Sequence, residues 1–294
     1  MAGLVVTWNP DGGFAERLAR LAPQVDRLLV IDNGSSPVGR QRAQSVARLA
    51  GAECLENPSN RGVAAAYNQG ARWAREAGCE WILIVDQDSR PTENLVAELQ
   101  AAQAAHFLPE SVAVVGPIAG VQRDDRRCAG KRWARRRLVI SSGSLINLDV
   151  WKRAGGFRAD YFVDMVEAEY CLRVGSMGYR VILACRATLH HRIGLPTYHT
   201  RLGLTVSTSN HPAWRRYYLM RNRWRTWRTY WRQAPAWVAF DVFGHVRDTI
   251  KMALLEDDRR AKLAAVRRGL RDGMRGRHGL VMRPDGWARD QARR

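Results

Sequence analysis

The sequence lacks any apolar run approaching the ~18 continuous residues of a membrane-spanning helix, so no span is expected in it. A strand-like stretch, Leu4-Val5-Val6, begins almost at the first residue. That leaves no room for the basic and apolar regions of a secretory signal, and none is expected. Cysteine is sparse: Cys54, Cys79, Cys128, Cys171 and Cys185 are odd in number, widely spaced and without a Cys-x-x-Cys pair. The pattern argues against a disulfide framework or a zinc ribbon and for a reducing compartment. The G-x-x-x-x-G-K-[ST], G-x-G-x-x-G and H-E-x-x-H patterns are missing. P-loop, dinucleotide-binding and zinc-protease readings therefore lack their fingerprints. No Ser/His/Asp set sits in a recognisable nucleophile turn.

Acidic residues are outnumbered, 28 against 47 Lys and Arg, for a formal charge of +19 over 294 residues. The excess is local. Residues 214–294 hold 21 basic against 8 acidic side chains, residues 123–137 hold 8 against 2, and the remainder balances. The positive field thus belongs to one loop and one tail. Such a field suits phosphate-rich partners: nucleic acid, anionic lipid or a diphosphate. An apolar fraction of 46% supplies one large domain, or one domain with an appendage.

Strands and helices alternate through the first half, the pattern of a mainly parallel α/β sheet. Strands are expected at Leu4–Thr7, Arg27–Ile31, Ala52–Leu55, Trp81–Val85, Val112–Val115, Leu138–Leu148 and Tyr179–Ala184. Ser36-Pro37 suits the cap and first turn of a helix. An alanine-rich helix is expected over about Val63–Ala77, and another near Asp164–Met177. Residues 120–137 show no apolar periodicity and read as a mobile surface loop. Beyond residue 210 no strand is evident, and helices are expected at about 213–232, 236–255 and 257–275.

The most informative segment is Asp86-Gln87-Asp88, directly after the apolar run Trp81–Val85. A buried strand would deliver both carboxylates to its carboxyl edge, where open α/β sheets bind ligands. Oxygen ligands at i and i+2 suit a hard divalent cation bridging nucleotide phosphates. Taken alone, the pair also suits a solvated turn after a strand.

The order of motifs carries more. They run from Val5-Val6-Thr7-Trp8-Asn9-Pro10 and Ile31-Asp32-Asn33-Gly34-Ser35 through Asn57-x-x-Asn60-Arg61-Gly62 and Asn68-x-Gly70 to Asp86-Gln87-Asp88-Ser89. Then come Ser142-Gly143-Ser144, Gly155-Gly156-Phe157, Phe162-Val163-Asp164, Glu169-Tyr170-Cys171-Leu172-Arg173, His191-x-x-Gly194 and Tyr217-Tyr218-x-x-Arg221-Asn222. Over roughly residues 4–278 the chain resembles the family 2 glycosyltransferases of GT-A fold, in their rhamnosyltransferase-like branch.

That resemblance implies an α/β fold with a mainly parallel sheet flanked by helices (residues 1–210) and a basic, amphipathic helical extension (211–294). It implies transfer of a sugar with inversion, from dTDP-L-rhamnose, onto a lipid-linked or polysaccharide acceptor in cell-surface polysaccharide synthesis. Thr7, Asn9, Asp32, Asn60, Gly62, Asn68 and Asp86 would bind the nucleotide sugar. Asp88, assisted by Asp86 and completed by His191, would hold Mg2+ or Mn2+; a histidine that only hydrogen-bonds within a loop is the alternative for His191. The catalytic base of the family falls on Glu167, where relatives more often carry Asp. Asp164 is the second candidate and Glu169 the third.

The tail admits two readings. Trp214, Trp224, Trp227, Trp231 and Trp237 lie among tyrosines and arginines at spacings of three and four. They read as the core face of a docked helix with arginines on its solvated side, or as a layer for lipid headgroups, and both can hold, because a docked helix can still present Arg and Trp to lipid. On the second, Tyr217, Arg221, Asn222 and Trp224 face the acceptor or an anionic membrane, and the protein is cytoplasmic and peripheral on the inner membrane face. Another nucleotide-sugar donor (galactofuranose or hexose), a nucleotidyltransferase and a non-catalytic nucleic-acid binder are the competing functions.

Overall fold

A computed structural model describes residues 1–120, 126–191, 197–201 and 204–283. Two compact units emerge: Met1–Ala159 with Val166–Arg192, and Asp160–Met165 with Ile193–Arg294. The second therefore begins ahead of the expected residue 211 and takes in six residues from the middle of the chain.

In the first unit β1 (Ala2–Thr7), α1 (Phe14–Leu21), β2 (Arg27–Asn33), α2 (Pro37–Leu49), β3 (Glu53–Asn57), α3 (Val63–Glu76) and β4 (Trp81–Asp86) follow in the expected alternation. Then come β5 (Arg90–Pro91), α4 (Leu95–Ala104), β6 (Val112–Ala119), β7 (Trp133–Arg136), β8 (Ser144–Asn147), α5 (Leu148–Arg153), α6 (Val166–Ser176) and β9 (Arg180–His190). The strand order is β3-β2-β1-β4-β8-β6-β9-β5, with β7 against β9. β1, β2, β3 and β4 pair in parallel, and β8 inserts antiparallel between β4 and β6.

Sequence explains the parallel half directly. Ile82, Leu83, Ile84 and Val85 are all buried, as a strand covered on both faces requires. Ser36 caps α2 by accepting a hydrogen bond from the Gly39 amide (3.3 Å), with Pro37 at its first position. α3 packs close because Gly70 has no side chain; a Cβ there would stand 2.4 Å from Leu4 Cδ2. Thr7 lies opposite Asp32, and Val6 opposite Asp86, so the carboxyl ends of β1, β2 and β4 are aligned.

Three expectations are corrected. Leu138–Leu148 is not one strand: Ser141–Ser144 forms a turn with Gly143 at φ +76°, and only Ser144–Asn147 joins the sheet. In the arginine-rich loop, residues 121–125 lie outside the described residues, but Trp133–Arg136 is a strand antiparallel to β9. That pairing brings together two cysteines 57 residues apart, and Cys128 and Cys185 form a disulfide. Their separation hid the pair behind an odd total. Cys54, Cys79 and Cys171 are free.

The second unit contains the hairpin β10 (Thr197–Arg201) and β11 (Leu204–Thr208), which the sequence did not announce. It continues with α7 (Ala213–Tyr230), α8 (Pro235–Leu255) and α9 (Arg259–Met274). Tyr217, Tyr218, Phe162 and Ala265 form its core. Buried Glu256 accepts from Arg216 Nη2 (2.7 Å), Lys262 Nζ (3.0 Å) and the Asn210 amide (3.0 Å). Among the described residues no helix is long and apolar enough to cross a membrane.

Candidate active site

β4 carries Asp86 to the carboxyl edge, and the turn after it presents Asp88. Ligand atoms of Asp86, Asp88 and His191 lie within 4.8 Å of one another. Asp88 has a 60% exposed side chain and stands 3.8 Å from His191 Nδ1. Gln87, between the acids, reads the other way. Its amide accepts from the Trp8 N–H (2.8 Å) and donates to the Trp8 carbonyl (3.2 Å), tying β4 to the end of β1.

Ser89 and Ser142 brace the cluster. The Ser142 hydroxyl accepts from the Asp86 amide (3.0 Å) and shares a 2.7 Å hydrogen bond with Ser89. Ser89 in turn lies 2.8 Å from His191 Nδ1. Ser89 and Asp88 thus both approach His191 from its Nδ1 side. The buried Tyr67 hydroxyl donates to Asp86 Oδ1 (3.2 Å). Its pKa is held well above the ordinary tyrosine value, first by burial and then by the Asp86 charge, with Glu167 adding to the rise. No residue pattern marked Tyr67, Ser89 or Ser142 for these roles, because each acts through a contact distant in sequence.

Glu167 lies in the first turn of α6, half-buried. Glu169, two residues on, is buried and accepts from Arg173 Nη2 (2.8 Å) and Nε (3.1 Å). It holds the helix together and is removed from the candidates for base. Asp164 belongs to the second unit, and its carboxylate accepts from Arg215 at 2.9, 3.1 and 3.2 Å.

Several residues expected to touch a nucleotide form hydrogen bonds that shape the sheet edge. Asp32 is 0% exposed; its carboxylate accepts from the Ser35 hydroxyl and amide and closes the turn after β2. Thr7 is equally buried and donates to Ile31 O (3.4 Å). Asn9, at φ +49°, accepts from Ser36 N and Oγ, both at 2.9 Å. Asn60 Oδ1 accepts from Asn33 Nδ2 (3.1 Å) and Gly62 N (2.9 Å). Gly62 opens α3 at φ +83° and ψ 157°, a conformation that disfavours residues with a Cβ.

Asn68, expected at the nucleotide sugar, makes three hydrogen bonds within the first unit. Its Nδ2 donates to Phe157 O (2.8 Å), and its Oδ1 accepts from Phe157 N (2.8 Å) and Trp151 Nε1 (3.1 Å). Both ends of the amide are consumed in fastening α3 to the Gly155-Gly156-Phe157 turn.

The Tyr217-Tyr218-x-x-Arg221-Asn222 element is corrected too. Tyr217, Arg221 and Asn222 are 0% exposed and cannot face lipid. Arg221 donates to the carbonyls of Gly279 (2.7 Å), Tyr161 (2.8 Å) and Asp160 (3.2 Å). Asn222 Nδ2 reaches the carbonyls of Tyr161, Val163 and Asp164 at 2.8–3.0 Å. Together they hold a segment in which Phe162, Asp164 and Met165 all have positive φ, a strained arrangement that persists only when over-determined. Trp224 is half-buried beside Gly273. Of the His191-x-x-Gly194 motif, Gly194 lies outside the described residues.

Residues 4–170 match the family described as Glycosyl transferase family 2. The chain is similar to the dTDP-rhamnosyl transferase RfbF of Shigella flexneri, with 26% identity over 233 residues, 74% of this chain and 77% of the relative. Among solved structures it matches mannosyltransferase PcManGT from Pyrobaculum calidifontis, in complex with GDP-Man and Mn2+. The TM-score is 0.58 at 19% identity, covering 90% of this chain and 73% of the other. GalNAc-T7, solved with UDP, GalNAc and Mn2+, gives 0.56 at 9% identity, covering 93% of this chain and 55% of that one. These two structures bear on the fold alone, which is the GT-A arrangement of strands and helices.

Proposed function

The chain belongs to glycosyl transferase family 2 and is a rhamnosyltransferase-like glycosyltransferase, and from that premise we propose that it moves L-rhamnose from dTDP-L-rhamnose, with inversion, onto a lipid-linked glycan acceptor for a cell-surface polysaccharide. The observation that carries the reading is the Asp86–Asp88–His191 cluster at the carboxyl edge of β4. The nearest support for the donor is the dTDP-rhamnosyl transferase relative.

Two carboxylates and an imidazole are a donor set of hard oxygen and borderline nitrogen, which fits Mg2+ or Mn2+. On this reading Asp88, Asp86 and His191 hold the ion. When bound, it supplies positive charge against the charge that develops on the departing nucleoside diphosphate. Ser89 and Ser142 orient the cluster, and Tyr67 fixes the Asp86 carboxylate. Asp32, Thr7, Asn9 and Asn60 set the shape of the edge that receives the nucleotide, largely by bonding to one another's loops. Gln87 keeps β1 in register with the acid-bearing turn.

An inverting transfer needs a base for the proton of the acceptor hydroxyl. Glu167 takes that role. Asp164 is set aside because its carboxylate is already engaged by Arg215, and Glu169 because Arg173 engages it. The same reading places the protein in the cytoplasm, on the inner face of the cell membrane where a lipid-linked acceptor would be met.

A donor screen tests it. Purified protein is offered dTDP-L-rhamnose, GDP-mannose and UDP-sugars, with a detergent-solubilised glycolipid acceptor fraction and Mg2+ or Mn2+, and the released nucleotide is read. Release of dTDP from dTDP-L-rhamnose is expected. Preference for another nucleotide sugar would overturn the donor and keep the transferase. Release of inorganic diphosphate would indicate nucleotidyl transfer instead.

A further inference from the structure

α8 leaves one face without a partner in the described residues. Phe240 is 76% exposed, Leu254 68%, Phe243 67%, Ile250 54% and Val246 50%. At ~3.6 residues per turn these five fall within an arc of about 120°. Ala236 and Ala239 are exposed in the same arc. Contiguous exposed apolar surface of this kind marks an interaction site rather than chance exposure. The acids of the helix lie outside the arc: Asp241 accepts from Arg223 Nε (3.1 Å) and Trp227 Nε1 (2.7 Å), and Asp248 accepts from Arg247 Nη2 (3.3 Å). Arg247, at one edge of the arc, is exposed, with Lys251 beside it.

The charge of the second unit as a whole favours one occupant. Among the described residues of the second unit, eleven arginines are exposed, against two acids, Asp257 and Asp258. A second copy of this chain would bring the same positive surface against itself. An anionic surface would be attracted by it. α8 is 21 residues long, yet it is not apolar enough to cross a membrane. A helix with one apolar face and cationic flanks lies in the plane of a lipid interface.

We propose that the Phe240–Leu254 face of α8 docks on an anionic phospholipid bilayer, with its phenylalanines and aliphatic side chains in the acyl boundary and the arginines among the headgroups. This moves the lipid-facing element from α7, whose tyrosines and Arg221 are buried, to α8. The inference deepens the membrane location proposed above. Vesicle binding and nucleotide release are separate readouts, so either can fail without the other.

The experiment is co-sedimentation of the full chain with vesicles of phosphatidylglycerol and phosphatidylcholine, or of phosphatidylcholine alone. The triple variant Phe240→Ser, Phe243→Ser, Ile250→Ser tests the stripe, and Arg247→Ser with Lys251→Ser tests its cationic edge. Binding is expected only with phosphatidylglycerol, weakening with salt. The triple variant should bind roughly a hundredfold more weakly, and the double variant about tenfold or more, with the melting curve and nucleotide release of each unchanged. Absence of wild-type binding, equal binding to neutral vesicles, or undiminished binding by the triple variant would overturn the proposal. So would a dimer in sedimentation velocity, without vesicles, that the triple variant dissolves.

Discussion

Two carboxylates three residues apart in sequence, Asp164 and Glu167, should respond in opposite ways to neutral substitution. Glu167→Gln removes the proposed base at nearly unchanged side-chain size; a positioned base contributes about 10²–10⁴ in rate. The expected result is a fall in kcat of at least ~100-fold, loss of the acidic limb of the kcat–pH profile, and an unchanged unfolding curve. Asp164→Asn removes the negative charge that pairs with Arg215 and one of the two oxygens that accept its three contacts at 2.9–3.2 Å. The Asp164 side chain is 9% exposed and that of Arg215 is 38% exposed, so water compensates much of the guanidinium's loss. After that discount the cost is about 1–2 kcal/mol of stability, with kcat within about threefold of wild type. Nucleotide release at saturating donor and urea unfolding supply both numbers. If Asp164→Asn lost ~100-fold in kcat at unchanged stability while Glu167→Gln stayed active, the assignment of the base would be refuted.

Other consequences follow from packing and charge. Burial, and then Arg223, push the His245 pKa down to about 4. The unfolded chain takes up this proton near pH ~6.5 and the folded one only near 4, so stability is lost as pH falls through that window, by about 3 kcal/mol; urea titrations at pH 7 and 4.5 measure it, and His245→Gln should remove about half of the slope, because burial and then Arg215 hold His211 at about 4 as well. A Cβ on Gly269 would stand 2.4 Å from Tyr217 O, where α7 and α9 meet. Gly269→Ala is therefore expected to destabilise by about 1–3 kcal/mol despite its better helix propensity, and a stabilised variant would contradict the close packing. The Cys128–Cys185 bridge closes a segment of 57 residues. Cys185→Ser should cost up to about 4 kcal/mol on the chain-entropy argument, and identical melting with and without reductant would refute that contribution.

The parallel half of the sheet was legible because its strands are short apolar runs ending in polar residues, as Trp81–Val85 does before Asp86. The three C-terminal helices were legible from their apolar spacing. What stayed hidden depends on contacts between distant residues. β8 inserts between β4 and β6 through a turn at Gly143, and the sequence offers only an unbroken strand-like stretch there. β7 carries too many arginines to read as a strand until β9 is seen beside it. The acid pair was legible as a site, while Tyr67, Ser89 and Ser142 carry ordinary side chains whose placement is set by the fold. Arg221 shows the limit most clearly. Spacing identified α7 as amphipathic and put its arginines in solvent, yet this guanidinium is fully buried among carbonyl oxygens and ring faces.

The measurement that bears most directly on the account is dTDP release from dTDP-L-rhamnose by wild type and by Asp88→Asn, each with Mn2+ and after chelation. Asp88 is exposed and makes no buried contact whose loss would unfold the protein. The account predicts turnover for wild type with metal and a loss of at least ~100-fold both on chelation and in Asp88→Asn, with melting unchanged. Full turnover by chelated wild type and by Asp88→Asn would contradict it.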